Sequence, residues 1–314
     1  MEAAELHKQW DINDPSTKAI HRKIGEMIAV DCQPISVVES SGFKALIHAI
    51  APKYRIPSRK YFAETVIPNI AQGIRAEVQA KLQEGADYIS FTTDVWSSDV
   101  NSDSLLGLTA HWVDGNFQRK SAVLQAHSLD DRHTGEYIAM QLLKMLESWK
   151  VDPSKVHVIV RDNGSNMVKA MEEASLPSFG CFAHSLQLVV HDGLLSQRAV
   201  KDLLATCRSI VGHFKHSSVA CHKLAHIQEN LQLPKHKLKQ DVVTRWNFTL
   251  YMLESILEQK MALAAYAAEN NIQHLAANQL EMARKMVLVL SPVEEITQAI
   301  SKETATLSIV IPHI

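Results

Sequence analysis

The stretch from Val156 to Asn166 constrains the fold of this chain more than any other. It begins as a β-branched apolar run of strand length, reaches Asp162, passes through an Asn-Gly turn and continues into residues with helical character. This order is typical of a buried strand, a tight turn and a helix start. Binding sites in open α/β sheets form at the carboxyl ends of such strands, so Asp162 is a candidate site residue.

A second aspartate has a similar setting upstream, because a strand-like run from Tyr88 to Thr93 leads directly into Asp94. Two aspartates that each follow a core strand suggest a shared metal site. In two-metal sites the ions lie about 3.5–4 Å apart, so we expect the two carboxylates within roughly 4–7 Å of each other. The alternative for either residue is structural, since aspartate at a strand end often bonds backbone amides and starts a turn.

The composition is that of an ordinary folded protein, with 46 % apolar and 21 % charged residues among 314. The formal net charge is −2, so no global basic field points to nucleic acid. No apolar run approaches the ~18 residues of a membrane span, and the acidic start lacks the apolar core of a signal peptide. The four cysteines have no disulfide-framework spacing, which favours a reducing intracellular compartment.

Changes in periodicity divide the chain into three predicted regions. Residues 1–86 show helical spacing, and so do residues 185–314, with long helices expected over 199–231 and 246–270. Between them, residues 87–184 contain five strand-like runs and two helical ones, at 88–93, 105–113, 117–129, 134–149, 156–160, 165–174 and 179–181. The resulting β-β-β-α-β-α-β order predicts an α/β protein with an RNase H-like core, preceded by a helical domain and followed by an all-helical insertion.

The segment from Arg198 to Arg245 is locally basic although the whole chain is not. It holds nine Lys and Arg residues against three acids, and five histidines in addition. Such an excess predicts a nucleic-acid footprint that includes Lys235, Lys237 and Lys239. The alternative is a solvated helical surface.

Several motifs then point to one family. In order along the chain they are Thr-Thr-Asp-Val-Trp-Ser-Ser at 92–98, Arg-Asp-Asn-Gly-Ser-Asn-Met at 161–167, Cys-Phe-Ala-His at 181–184 and Thr-Arg-Trp-Asn at 244–247. Together, and with the segments at 34–43 and 52–59, they resemble the hAT superfamily of DNA transposases. The likeness is strongest to transposase-derived proteins that carry BED zinc fingers, and it runs from about residue 18 onwards.

The resemblance implies roles for matching positions. Asp94 and Asp162 would be the first two metal-binding carboxylates of a catalytic site that binds Mg²⁺. Cys181 and His184 would lie beside this site, at the end of the fifth strand. Their alternative role is packing, with a histidine that is satisfied by its neighbours.

The resemblance also implies nucleic-acid contacts in the helical insertion. Trp246 would stack near a flipped base, since aromatic faces hold unstacked bases without sequence preference. Arg245 would contact phosphate. The alternative for Trp246 is a core anchor at a helix start.

Departures from the family pattern lower the expectation that this chain catalyses DNA cleavage. The family's third carboxylate is a glutamate beyond the helical insertion, and this sequence stops at Ile314, inside that insertion. Glu294 and Glu295 lie in an amphipathic helical pattern, the wrong context for that role. No BED-finger spacing precedes residue 80, and we expect either a fragment or a shortened derivative with a degenerate site.

A group of histidines and a cysteine in the basic segment raises the question of zinc. The group is His213, His216, Cys221, His222 and His226. His222 and His226 share a helix face. No spacing among the five matches a four-ligand structural site, so zinc is not expected in this chain.

The functional expectation is a transposase-derived nuclear protein that is catalytically inactive. It would act in transcription or chromatin by binding DNA, by self-association or by contacting other nuclear proteins. Two alternatives remain open: an active hAT-type transposase or nuclease that uses a divalent metal, and an inert fragment that folds poorly.

Overall fold

The structure is a computed structural model that describes residues 9–84, 87–98, 103–302 and 304–310. The chain divides into two compact units. The first comprises Met1–Val160 and Ser165–Ser178, and the second comprises Arg161–Gly164 and Phe179–Ile314. The division therefore passes through the Val156–Asn166 stretch. The predicted domain boundaries at residues 86 and 184 stay predictions.

The first unit begins with helices that surround a small apolar core. They are α1 (Pro15–Val30), α2 (Ser41–Ile50), α3 (Arg59–Tyr61) and α4 (Ile67–Glu84), with π-helical turns at Phe62–Val66 between the last two. Two caps explain where helices begin, because Asp14 accepts a hydrogen bond from the Ser16 amide and Ser58 accepts one from the Tyr61 amide. Ile24, Ile28 and Phe62 are buried in this core.

The sheet contains the five expected strands. They are β1 (Ile89–Ser97), β2 (Ser104–Val113), β3 (Arg119–Ser128), β4 (Val156–Arg161) and β5 (Ser178–Gly180), in the spatial order β3-β2-β1-β4-β5. Strand β2 pairs antiparallel with β1 and β3, whereas β4 runs parallel to β1. Asp114 stabilises the β2–β3 turn by accepting hydrogen bonds from the amides of Asn116 and Gln118. The mixed α/β class is confirmed.

The predicted strand boundaries differ from the observed ones by at most two residues, except at the end of β1, where the difference is four. Asp94 was expected to follow a strand that ends at Thr93, but β1 continues to Ser97 and Asp94 lies within it, opposite Gly107. The reason is that the two strands on either side of β1 pair with it over different lengths. The parallel pairing with β4 extends only as far as Thr92 and Val160, while the antiparallel pairing with β2 continues to Ser97 and Ser104.

Two helices cover one face of the sheet in the first unit. They are α5 (Gly135–Ser148) and α6 (Ser165–Glu173), whose apolar residues pack in one core with alternate residues of β1 and β2. Phe91 from β1 and Ile138 from α5 are among its fully buried side chains. Because side chains alternate along a strand, Thr92 and Asp94 lie on the opposite, exposed face.

The second unit is helical after β5. Its helices are α7 (Phe182–Val189), α8 (Arg198–Lys215), α9 (Ser218–Asn230), α10 (Trp246–Glu258), α11 (Lys260–Glu269) and α12 (Ala277–Ile300). The expected helix over 199–231 is two helices, because Ser217 caps a new one by accepting a hydrogen bond from the Ala220 amide. Within the described residues, no helix is long and apolar enough to cross a membrane.

Candidate metal and nucleic-acid site

Asp94 is held in place by backbone pairing on strand β1. The neighbouring Thr93 is buried and its hydroxyl donates a hydrogen bond to the Gly107 carbonyl at 2.8 Å. On the exposed face, the Thr92 hydroxyl lies 3.1 Å from His111 Nε2. Burial lowers the pKa of His111, so its imidazole is neutral at pH 7. The result is a polar strip of Thr92, Asp94 and His111 beside the exposed face of β1.

Asp162 follows the last residue of β4 and forms part of a turn. Its Oδ1 accepts a hydrogen bond from the Gly164 amide at 2.9 Å. This is the structural role that was the alternative for a strand-end aspartate. The bond does not exclude metal binding, because an ionised carboxylate has two oxygens and about four acceptor positions. Asp162 therefore combines a turn-forming bond with remaining capacity for a cation.

The two aspartates have equivalent positions relative to the last paired residues of their strands. Thr92 and Val160 are that last parallel pair, and Asp94 and Asp162 each follow by two residues. The expected spacing of their carboxylates stays a prediction, since Asp94 belongs to the first unit and Asp162 to the second. Their donor atoms suit Mg²⁺, which prefers carboxylate oxygens and accepts one or two of them.

Cys181 and His184 stand at the beginning of α7. Cys181 is the half-buried residue that precedes this helix, and its thiol is free. His184 lies in the first turn and is exposed. The Cys181 amide donates to the Arg161 carbonyl at 2.6 Å, which joins the start of α7 to the end of β4. Their proposed place beside a catalytic centre stays a prediction.

Sequence reasoning did not identify the side chains that hold the Asp162 turn. The Asn163 amide nitrogen donates to the Ser185 hydroxyl at 2.8 Å, and its oxygen lies against the α-carbon side of Gly180. The Asn-Gly turn at 163–164 was recognised, but nothing in the spacing pointed to a partner some twenty residues away. A glycine at the end of a short strand was the only available signal.

Trp246 lies in the core of the second unit. Only 3 % of its surface is exposed, it packs among the buried residues of the helical cluster, and its backbone amide donates to Gln187 Oε1 at 3.2 Å. The core-anchor alternative describes this position. Base stacking by Trp246 would require its ring to leave the core. Arg245, directly before it, is exposed.

An ion pair whose acid is buried fixes the segment that precedes Arg245. The Asp241 side chain is almost fully buried, and its two oxygens accept hydrogen bonds from Arg208 Nε at 2.6 Å and from the Thr249 hydroxyl at 3.0 Å. Arg208 is thus paired with a buried acid, although 36 % of its own side chain is exposed. This pairing reduces its contribution to the outward charge of the basic segment.

The other basic residues of that segment point to solvent. Eight of the nine are exposed, namely Arg198, Lys201, Lys215, Lys223, Lys235, Lys237, Lys239 and Arg245. Two of the three lysines between α9 and α10 have close neighbours, because Lys235 pairs with Glu229 at 3.1 Å and Lys239 lies over the Tyr251 ring. These contacts are exposed and weak, so they leave the positive charge available to a polyanion.

The histidine group of the basic segment does not form a metal site in the described residues. His213 Nε2 lies 3.0 Å from the Tyr266 hydroxyl, within the helical unit. Across residues 9–84, 87–98, 103–302 and 304–310, no three His, Cys, Asp or Glu side chains are grouped so that they could hold a metal.

Comparison with known families covers both regions. Residues 92–176 match the family model described as the ZBED1 RNase-like domain, and residues 179–300 match the ZBED1 RNase-like helical domain. The boundary between these two matches coincides with the passage from the sheet into the helical unit. Asp94 and Asp162 lie in the first matched region, and the basic segment lies in the second.

Individual relatives give the same result. The chain is 34 % identical to human zinc finger BED domain-containing protein 4 over 99 % of its own length and 27 % of the relative's. It is 29 % identical to human zinc finger BED domain-containing protein 6, over 96 % of the chain and 32 % of that protein. A putative AC9 transposase from Zea mays is 23 % identical over 82 % of the chain and 32 % of its own length. The chain thus spans about a third of these relatives, and it belongs to the BED-type, hAT-related group of transposase-derived proteins.

Proposed function

We propose that this chain is a transposase-derived DNA-association module of the nucleus that holds a degenerate cation site and does not cut DNA. Its sheet would be an RNase H-like core, with Asp94 and Asp162 as the remaining acids of the ancestral site. DNA would bind along the basic segment of the helical unit. Self-association or contacts with other nuclear proteins in transcription or chromatin would complete the role.

The exposed charge of the basic segment is the observation that carries the proposal. Eight of its nine cations face solvent, and of its three acids one is buried against Arg208 and another is paired with Lys235. Lysine and arginine that neutralise phosphates supply most non-specific DNA affinity by releasing counterions. DNA is favoured over other polyanions because one relative is a putative transposase and because the chain matches an RNase-like family model.

The cation site would be weak. Asp94 and Asp162 supply carboxylate oxygens, the ligands that Mg²⁺ prefers, but two acids leave most of its coordination to water. When bound, the ion would neutralise charge on a nearby phosphate oxygen. Asp94 and Asp162 would orient the ion, and the polar strip beside Asp94 would accept the sugar-phosphate chain.

An active transposase or nuclease is the second candidate, and the retention of both aspartates favours it. Two-metal phosphoryl transfer needs enough carboxylate charge to hold both ions in line with the scissile bond. A nicking assay on supercoiled DNA in Mg²⁺ or Mn²⁺ separates the candidates. We expect no nicking by the purified chain, and cleavage that disappears in Asp162→Asn would establish the enzyme instead.

DNA association is tested by charge reversal. The variant carries Lys235→Glu, Lys237→Glu and Lys239→Glu, and binding of a labelled duplex is followed by fluorescence anisotropy from low to moderate salt. We expect weak binding with little sequence preference and a steep salt dependence in the unaltered chain. The variant should bind more weakly, and the slope of log affinity against log salt should fall by about one for each phosphate that is no longer neutralised.

The control reverses three exposed lysines elsewhere: Lys18→Glu, Lys44→Glu and Lys144→Glu. Its change in net charge equals that of the test variant, so any effect of overall charge is the same in both. If the two variants lose equal affinity, the basic segment is only a solvated surface. Absence of binding at low salt would also refute the proposal.

A further inference from the structure

We propose that the Asp162 turn is held in a cation-binding orientation by three further residues, which are Asn163, Gly180 and Ser185. We call this set the Asn163 bridge. The inference rests on the proposed cation site, and it assigns a positioning role to residues for which the family resemblance implied no role. All three, and Asp162 itself, lie in the second unit.

The bridge joins the turn after β4 to the first turns of α7. The Asn163 amide nitrogen donates to the Ser185 hydroxyl at 2.8 Å, and that hydroxyl donates to the Cys181 carbonyl at 3.2 Å. The Cys181 amide in turn donates to the Arg161 carbonyl at 2.6 Å. The chain between Arg161 and Asn163 is therefore fixed on both sides of Asp162.

Gly180 permits the bond between Asn163 and Ser185 because it lacks a side chain, not because its backbone is more flexible. No described glycine has a positive φ, so other residues could adopt its backbone conformation. A methyl group at Gly180 would instead overlap the Asn163 amide oxygen. Relief of the overlap requires the amide to rotate, and rotation would take its nitrogen away from Ser185. Gly180 thus protects the bond on which the bridge depends.

The orientation of the turn determines where the Asp162 carboxylate points. Its Oδ1 is already bound to the Gly164 amide, so the carboxylate moves with the turn backbone. Asn163 lies between Asp162 and Gly164 in the chain, and its displacement would alter both residues. Side chains that orient metal ligands in this way typically change metal affinity by about 10–100-fold when they are removed.

The test measures Mn²⁺ binding to the full chain by the decrease of the free-ion signal in electron paramagnetic resonance. Four variants are compared with the unaltered protein: Gly180→Ala, Asn163→Ala, the double variant, and Gly193→Ala as the control. Gly193 lies in the same unit and a methyl group there would meet no atom within 4 Å. Amide chemical shifts of Asp162 and Gly164, recorded without metal, report the position of the turn independently.

Gly180→Ala and Asn163→Ala should each weaken Mn²⁺ binding about tenfold or more and should move both amide signals. The double variant should bind no more weakly than Asn163→Ala alone, because the overlap disappears with the amide. Ser185→Thr should retain affinity because it keeps the hydroxyl. Gly193→Ala should match the unaltered protein in both measurements.

Three results would count against the inference, and they differ from one another. If the unaltered protein binds no Mn²⁺, the proposed cation site fails and the bridge loses its functional role, even where the amide signals move. If the unaltered protein binds Mn²⁺ and Gly180→Ala or Asn163→Ala binds it equally well, the cation site stands and the bridge is wrong. If the loss of Mn²⁺ affinity in the double variant equals the product of the two single losses, Gly180 and Asn163 do not act through the same contact.

Discussion

The two aspartates are held by different kinds of structure. Asp94 sits inside β1, where the backbone pairs with β2 on one side and is backed by a buried strand face. Asp162 sits on a turn whose conformation depends on side-chain bonds from Asn163 and on its own carboxylate. A sheet position is set by many backbone bonds and by the core, whereas a turn position is set by a few side chains. Single substitutions should therefore reach Asp162 more easily than Asp94.

The largest expected effect tests the sheet side of this comparison. Phe91 is fully buried in the core beneath β1, three residues before Asp94. Phe91→Ala should destabilise the protein by about 3–5 kcal/mol, because it removes a large side chain and leaves a cavity. The free energy of unfolding from denaturant titration measures this.

Trp96→Ala is the matched control for that variant. The Trp96 side chain lies on the same strand, but 58 % of its surface is exposed. We expect a change within about 0.5 kcal/mol, as for most surface substitutions. An equal decrease of stability in the two variants would show that core packing does not hold β1 as described.

A smaller effect separates the two aspartates directly. Thr93→Val removes the hydroxyl bond to Gly107, and Ser185→Ala removes the acceptor of the Asn163 amide. Each should cost about 0.5–1.5 kcal/mol, the usual net contribution of one hydrogen bond. Only Ser185→Ala should weaken Mn²⁺ binding, because the backbone of β1 keeps Asp94 in place. Equal Mn²⁺ affinity in both variants would show that the position of Asp162 does not depend on side-chain bonds more than that of Asp94.

The smallest expected effect is a pH dependence in the first unit. Burial lowers the pKa of both His111 and His21 below the ordinary 6.5, so the unfolded chain binds more protons than the folded one just below that value. Stability should be complete above about pH 6.5 and should fall as the pH drops below it. His111→Gln should reduce this slope in denaturant titrations at several pH values, and His21 should account for the remainder. An unchanged slope would contradict a role for His111.

The elements of the sheet could be predicted from sequence because their signals are local. Alternating or β-branched runs and a turn built on Asp114 are each contained within a few residues. The end of β1 could not be predicted in this way, since it depends on the antiparallel partner that continues opposite Asp94. The division of the expected 199–231 helix depended on the Ser217 side chain, which is also compatible with a helix interior.

The candidate site was predictable only in part. Both aspartates could be identified because each follows an apolar strand-like run. The surroundings of Trp246 could not be predicted from the sequence. An aromatic residue at a helix start is consistent with a core anchor as well as with an exposed stacking surface. Only the packing of the helical unit decides between these two roles. The Asn163 bridge was likewise hidden, since it joins residues that are distant in sequence.

The central proposal, which the structure leaves as a prediction, is that Asp94 and Asp162 each contribute a carboxylate to one weakly held divalent cation. The most direct test is a Mn²⁺ titration of the unaltered chain, Asp94→Asn and Asp162→Asn, followed by electron paramagnetic resonance. Both substitutions keep the side-chain size and remove a charge. We predict one ion bound to the unaltered chain and no bound ion in either variant, because neither acid holds the ion alone. Retention of the ion by one variant and its absence from the other would contradict a shared site.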